Sequence, residues 1–115
     1  MNGDTINLQV FTDLQDSTGA DFVVELVGSF LEDAPKLLAE LERSASSGDA
    51  SAFRRAAHSL KSNSSTFGAT GLSVLARELE LAELGALGDQ IGPMLARLGT
   101  SYQGAADALR SLAHA

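Results

Sequence analysis

The spacing of apolar residues predicts an all-helical chain. Apolar side chains recur every three or four residues along most of the sequence, and alternation with a period of two is nowhere sustained. The first predicted helix covers residues 6–16, with Asp4 or Thr5 at its start and Gly19 near its end. A second and broader apolar face begins at Phe22. Its width is typical of a helix that faces a core.

Pro35 interrupts this second apolar run. Proline lacks the backbone N–H, and its ring clashes with the preceding turn, so it breaks or kinks a helix. The apolar spacing nevertheless resumes and continues through Leu41 to an end near Gly48. One kinked helix and two separate helices are therefore both compatible with residues 21–46.

Three further helices are predicted in the second half of the chain. Asp49 is a start signal for the third helix, and Gly68 is a candidate left-handed stop. A fourth helix is predicted over residues 71–84. The last one starts near residues 92–93, since Pro93 suits a first helical turn.

The connections between these helices are short, which favours antiparallel neighbours. We therefore expect an up-down antiparallel four-helix bundle with an additional N-terminal helix, forming a single domain over residues 1–115. A chain of this length buries a core without covalent cross-links. It has no cysteine, which excludes disulfides and thiolate metal sites. Without a signal segment or an apolar span of membrane length, a cytoplasmic monomer is expected.

Charge is unevenly distributed along the chain. The net charge of −7 argues against nucleic-acid binding, which needs a basic surface. Residues 50–77 nevertheless carry four basic residues and no acidic one, whereas the segments on both sides are acidic. This cationic segment indicates an anionic ligand or partner, although a chance fluctuation in a short chain would look the same.

A histidine in the cationic segment lies off the apolar stripe of its helix. The stripe predicted to face the core consists of Phe53, Ala57, Leu60, Ser64 and Phe67. On a helical wheel His58 lies roughly 140° from the centre of this stripe. Lys61, Ser62 and Ser65 share its flank. His58 is thus predicted to face solvent, as either an idle surface residue or a reactive one.

The neighbours of His58 favour one kind of chemistry. Imidazole can act as a nucleophile, a base or a metal ligand. A metal site is disfavoured because no second ligand lies at helical spacing, and no hydrolytic triad can be named. Lys61 at i+3 and Arg54 at i−4 could instead neutralise a phosphoryl group. The other histidine, His114, lies in a tail of small residues and is predicted to be idle.

Several stretches resemble the histidine phosphotransfer (HPt) family. The sequence AHSLKS at residues 57–62, followed by Gly68, is similar to the family signature A-H-x-[LI]-K-[GS] with a glycine ten residues after the histidine. FLEDAP at residues 30–35 resembles the family's F-L-x-x-x-P stretch, and RELE at residues 77–80 matches the helix that follows. The resemblance covers about residues 20–85.

The resemblance implies a phosphorelay module that takes a phosphoryl group from a receiver-domain aspartate and passes it to another receiver. By position, His58 is then the phosphoacceptor and Lys61 the cation that stabilises the phosphoryl oxygens. Gly68 is the implied close-approach glycine, and Glu80 holds the position that orients the second ring nitrogen. Mg²⁺ is expected on the receiver, and no cofactor on this chain.

The resemblance also implies a docking surface for receiver domains. Arg54, Ser62, Ser65 and Gly68 are the implied partner contacts around the histidine. Ser62 replaces the family's more common glycine while remaining small. Ile6 and Phe11 give the N-terminal helix more apolar surface than one stripe needs. They are predicted either to contact a receiver or to cap the bundle core.

Two alternatives to a relay carrier are left open. A helical adaptor could bind or sequester a receiver without being phosphorylated, and residues 62–68 also look like the phosphoacceptor module of chemotaxis kinases. The sequence contains no glycine-rich phosphate loop and no kinase-type nucleotide motif. The chain is therefore expected to be a phosphoryl carrier and not an enzyme.

Overall fold

The fold is taken from a computed structural model that describes residues 5–113, so Asp4 and His114 lie outside the described part. The described residues form helices and contain no strand. The elements are α1 (Leu8–Thr18), α2 (Ala20–Ser47), α3 (Ala50–Thr66), α4 (Thr70–Leu81), the single turn α5 (Leu84–Leu87), a 3-10 turn (Gly88–Gln90) and α6 (Ile91–Ala113).

Helices α2, α3, α4 and α6 form the bundle. Each packs against two of the others, in the closed order α2, α3, α4, α6, and α1 lies against α2 and α3. The predicted four-helix bundle with an additional N-terminal helix is confirmed. Its core is formed by large side chains from all four helices, among them Val23, Leu41, Phe53, Leu60, Leu72, Leu79, Leu98 and Leu109.

The first helix starts two residues later than predicted. Asn7 is its N-cap, and the side-chain oxygen of Asn7 accepts hydrogen bonds from the backbone N–H groups of Gln9 and Val10. Such a cap satisfies N–H groups that have no partner within the helix. Ile6 precedes the helix and is buried in the core at 2% exposure.

Helix α2 is continuous through Pro35, so residues 21–46 belong to one helix and not to two. Pro35 has no N–H to donate to the carbonyl of Leu31, four residues earlier. The hydroxyl of Tyr102, on the neighbouring α6, donates to that carbonyl oxygen at 3.4 Å. Through this long hydrogen bond, Tyr102 supplies a donor to the carbonyl that the proline leaves without one.

This contact gives a prediction for the stability of the fold. Tyr102→Phe should lower the free energy of unfolding by roughly 0.5–1 kcal/mol, because the Leu31 carbonyl then lacks its donor. The loss should be smaller in a Pro35→Ala background, where the new N–H can bond within the helix. Urea unfolding of the four variants measures the coupling between the two positions. Equal losses in both backgrounds would show that the Tyr102 hydroxyl does not compensate for the proline.

The start of α3 agrees with the prediction from the sequence, whereas the end of α4 differs from it. The Asp49 side chain accepts a hydrogen bond from the Ala52 N–H and caps α3 as predicted. Helix α4 ends at Leu81 and not near residue 84, because Ala82 has an extended backbone and Leu84 begins a separate turn.

Candidate functional site

Helix α3 presents His58 to solvent because the opposite face of the helix is buried. The predicted stripe is fully in the core, and its members are Phe53, Ala57, Leu60, Ser64 and Phe67. The side chain of His58 is 57% exposed. The apolar spacing alone thus determines the outward direction of the imidazole.

Glu80 on α4 reaches across to this helix and contacts two of its side chains. Its Oε2 lies 2.5 Å from His58 Nδ1, and its Oε1 lies 2.8 Å from Lys61 Nζ. Leu79 and Ala76 are fully buried on α4 and hold the register that places Glu80 there. One carboxylate therefore bridges the histidine and the lysine.

These contacts determine which ring nitrogen carries the proton. Hydrogen bonds from Lys61 and then from His58 lower the pKa of Glu80, so its carboxyl group is ionised at neutral pH. A carboxylate is an acceptor only, and His58 Nδ1 must therefore be the donor. In the neutral ring Nε2 is then the unprotonated nitrogen, with its lone pair available to a partner.

The lowered pKa of Glu80 predicts a pH dependence of stability. Its carboxylate stabilises the fold above the ordinary value of 4.5, and this contribution is lost as the pH falls below that value through the folded-state pKa. Wild type should exceed Glu80→Gln in stability at neutral pH, and the difference should shrink in acid. Thermal unfolding of both proteins across this range is the measurement. A difference that does not change with pH would contradict the ionised bridge.

One turn beyond this bridge, hydrogen bonds between Ser73 on α4 and both Ser65 and Lys61 on α3 join the two helices. Ser65 Oγ lies 2.6 Å from Ser73 Oγ, and Ser73 Oγ donates to the Lys61 carbonyl oxygen at 3.2 Å. Ser62 is exposed beside them. Ser73 is not among the site residues predicted from the sequence. Its position seven residues before Glu80 places both side chains on one helical face, and this spacing could have indicated it.

Arg54 lies one turn before His58 and is exposed. It lines a cleft of about 450 Å³, together with Glu80 and Leu81 at the end of α4. Within residues 5–113 it makes no salt bridge. Its charge is therefore available at the predicted partner-facing surface.

Three residues named as candidate partner contacts, Ile6, Phe11 and Gly68, are buried. For Ile6 and Phe11 the sequence leaves receiver contact and capping of the core both open, and at 2% and 3% exposure these two side chains cap the core. Gly68 is buried with φ of +79°, and its carbonyl accepts a hydrogen bond from the Asn7 N–H at 2.7 Å. The close approach at Gly68 is therefore made by the start of α1, which one-dimensional spacing does not reveal.

Within residues 5–113, no group of three or more His, Asp or Glu side chains is placed to hold a metal ion. None of the helices combines the length and the apolar character needed to cross a membrane.

The fold and the site define a helical-bundle domain that presents a hydrogen-bonded histidine on its surface. Residues 25–112 match the family described as the Hpt domain, and the chain belongs to that family. Hpt domains carry out histidine phosphotransfer in phosphorelays, which assigns this function to the chain.

One solved structure is similar over nearly the whole chain. Histidine-containing phosphotransfer protein B from Pseudomonas aeruginosa shares 24% sequence identity, with a TM-score of 0.87, over 96% of this chain and 95% of that one. This likeness shows the same fold. No protein with a curated function matches the sequence.

Proposed function

We propose that His58 is the phosphoacceptor of this Hpt domain and that Nε2 is the atom phosphorylated. The observation that carries the proposal is the hydrogen bond from His58 Nδ1 to Glu80, which leaves Nε2 as the nucleophile on an exposed ring. A phosphorylated receiver should transfer an acid-labile phosphoryl group to the wild-type chain. Absence of uptake from every receiver of the source organism would overturn the proposal.

The transfer is balanced without an added proton. The Nε2 lone pair of neutral His58 forms an N–P bond while the P–O bond of the receiver's aspartyl phosphate breaks, and the aspartate leaves as a carboxylate. The ring gains a positive charge, and its Nδ1–H continues to donate a hydrogen bond to the Glu80 carboxylate. This contact strengthens as the charge develops, which favours the transition state over the ground state. The reverse step returns the phosphoryl group to a receiver.

We propose that Lys61 changes its ion-pair partner when His58 is phosphorylated. Its ammonium is paired with Glu80 while the histidine is unmodified, and the side chain is 27% exposed. A phosphoryl group on His58, three residues earlier on α3, would offer a second anion within reach of the same flexible side chain. The lysine could then move from Glu80 to the phosphoryl oxygens.

We propose a carrier that depends on its partners for catalytic machinery. Phosphoryl transfer requires in-line positioning and neutralisation of charge, and the receiver domain would contribute its acidic pocket and Mg²⁺. This chain would contribute a rigid nucleophile and local positive charge. Family membership supports the absence of a kinase activity of its own.

The role proposed for Glu80 predicts different rates of phosphoryl uptake for two substitutions at this position. Glu80→Ala should slow phosphoryl uptake about tenfold, because the tautomer and the developing charge lose their partner. Glu80→Gln keeps an oxygen that accepts the Nδ1–H and should recover part of the rate. Single-turnover labelling measures the rate, and ¹⁵N NMR of the imidazole reports the tautomer. Equal rates in the two variants would contradict an orienting role.

A further inference from the structure

A second pair of side chains joins α3 and α4 in the same register as His58 and Glu80. Ser65 lies seven residues after His58 on α3, and Ser73 lies seven residues before Glu80 on α4. Seven residues are almost two full turns, so in these antiparallel helices both pairs belong to one alignment of the same two faces. The Oγ atoms of Ser65 and Ser73 are 2.6 Å apart. The serine pair therefore has the register that the contact between His58 and Glu80 requires.

The direction of the serine hydrogen bonds follows from a backbone carbonyl. Ser73 Oγ lies 3.2 Å from the carbonyl oxygen of Lys61, and a carbonyl can only accept. Ser73 therefore donates its one proton to Lys61, and Ser65 donates to Ser73. The Lys61 carbonyl has a second lone pair for the N–H of its own helix. We call this chain of hydrogen bonds, from Ser65 through Ser73 to the Lys61 carbonyl, the serine link.

Lys61 is held by α4 at both its backbone and its side chain. Its carbonyl accepts from Ser73 at 3.2 Å, and its ammonium pairs with Glu80 at 2.8 Å. Within residues 5–113, the side-chain hydrogen bonds and ion pairs between α3 and α4 are those of Ser73 and Glu80 alone. Polar contacts therefore fix α4 along α3 at these two residues.

The contacts of Glu80 tolerate little movement of α4. Its carboxylate spans two groups on α3, at 2.5 Å and 2.8 Å, and its side chain is only 16% exposed, so little water can replace a lost partner. A slide by one residue moves a helix by about 1.5 Å, which exceeds the range of hydrogen-bond distances, about 0.5 Å. Leu72, Ala76 and Leu79 hold α4 on the core by apolar contacts, which have no preferred direction. The serine link adds a directional constraint to this packing.

We propose that Ser73 is a positioning residue for phosphoryl transfer, which keeps Glu80 on His58 by fixing the register of α4 against α3. The inference rests on the proposed function of His58 and adds a residue that acts through Glu80. Without the Ser73 hydroxyl, the Glu80 carboxylate would spend part of its time away from Nδ1. The ring would then also adopt the tautomer with its proton on Nε2, which leaves no lone pair there to form the N–P bond.

Removal of the hydroxyl separates positioning from stability. Ser73→Ala should lower Tm by less than about 5 °C, since Ser65 is exposed to water and the Lys61 carbonyl keeps its helical partner. In ¹⁵N NMR of the free protein, with ¹⁵N in the histidine ring, His58 should change from the Nδ1–H tautomer to a mixture. The His58→Gln spectrum assigns its signals.

Single-turnover kinetics measure the consequence for transfer. The probe is the isolated receiver domain that labels wild type fastest, phosphorylated with acetyl phosphate and Mg²⁺. Ser73→Ala should lower the maximal transfer rate about threefold and leave KM within about twofold of wild type, because the ring and not the docking of the receiver is affected. This loss should be smaller than that of Glu80→Ala, since the carboxylate is still present.

Three further variants test whether the effect passes through the hydroxyl and through Glu80. Ser73→Thr retains a hydroxyl and should restore the tautomer and most of the rate. In a Glu80→Ala background, Ser73→Ala should lower the rate no further, because the carboxylate that it positions is absent. Ser47→Ala is the matched control, since Ser47 is exposed and its hydroxyl donates to the Ser44 carbonyl within α2. It should leave the tautomer and the rate unchanged.

A wild-type tautomer in Ser73→Ala would overturn the role of Ser73 and leave His58 as the phosphoacceptor. A threefold fall in rate that persists in the Glu80→Ala background, or that Ser73→Thr does not restore, would do the same. Absence of any labelling of wild type would instead overturn the proposed function itself, and with it a role of Ser73 in transfer.

Discussion

His58→Gln is expected to abolish phosphoryl uptake from a phosphorylated receiver, with a loss of at least about 10³-fold in labelling rate. Glutamine approximates the size and polarity of the ring but has no nitrogen lone pair that can form an N–P bond. The substituted position is 57% exposed in wild type, so the bundle should remain folded. Labelling with ³²P followed by acid treatment measures the effect.

A control on the same helix distinguishes this loss from damage to α3. Arg55 is exposed and donates a hydrogen bond to Ser51 Oγ, away from Glu80. Arg55→Gln should be labelled at nearly the wild-type rate. Wild-type labelling of His58→Gln would instead place the phosphoryl group on another residue. Receiver binding by His58→Gln without uptake is expected, whereas receiver binding with no uptake by wild type would favour the adaptor alternative.

Gly68→Ala is expected to be the most destabilising of the glycine substitutions. Gly68 has φ of +79°, and a Cβ added there would lie 2.7 Å from the Asn7 carbonyl oxygen. A left-handed backbone costs an L-residue about 1–2 kcal/mol, and the backbone contact cannot relax by rotating a side chain. The combined loss should be about 2–4 kcal/mol, with a Tm lower by about 10 °C.

Gly48→Ala is the matched control for this effect. Gly48 also has a positive φ, of +73°, but a Cβ added there meets nothing within 4 Å. It should cost about 1 kcal/mol, from backbone conformation alone. Thermal unfolding of both variants measures the difference. Equal losses would show that the added Cβ at position 68 is accommodated beside Asn7 without a further cost.

Helix α3 could be predicted almost completely from sequence because its local signals agree. Asp49 caps its start, the buried stripe follows its 3.6-residue period, and Gly68 allows the left-handed turn that ends the segment. The exposure of His58 follows directly from that period. Where local propensity and burial indicate the same structure, periodicity is sufficient to predict a helix and its exposed face.

The contacts between elements could not be predicted in this way. The bridge from His58 through Glu80 to Lys61 depends on the register of α4 against α3, which is set by core packing. The family resemblance implies that Glu80 orients the ring of His58, whereas helical spacing gives no indication of this contact. The burial of Ile6 and Gly68 could not be predicted from local spacing, because it depends on the contact between the start of α1 and the turn that follows α3.

The proline in α2 illustrates the same limit. Local rules leave one kinked helix and two separate helices both open at Pro35, and α2 is one helix. The hydroxyl that compensates for the proline comes from Tyr102, 67 residues later in sequence. The residues close to Pro35 in sequence therefore do not contain the information that decides between the two alternatives.

The position of the phosphoryl group on the ring tests the central claim most directly. The ¹⁵N and ³¹P NMR spectra of the labelled protein, with ¹⁵N in the histidine ring, identify the nitrogen bonded to phosphorus. One phosphoryl group per chain on His58 Nε2, with a proton retained on Nδ1, is the predicted result. Phosphorylation of Nδ1, or of any residue other than His58, would contradict it.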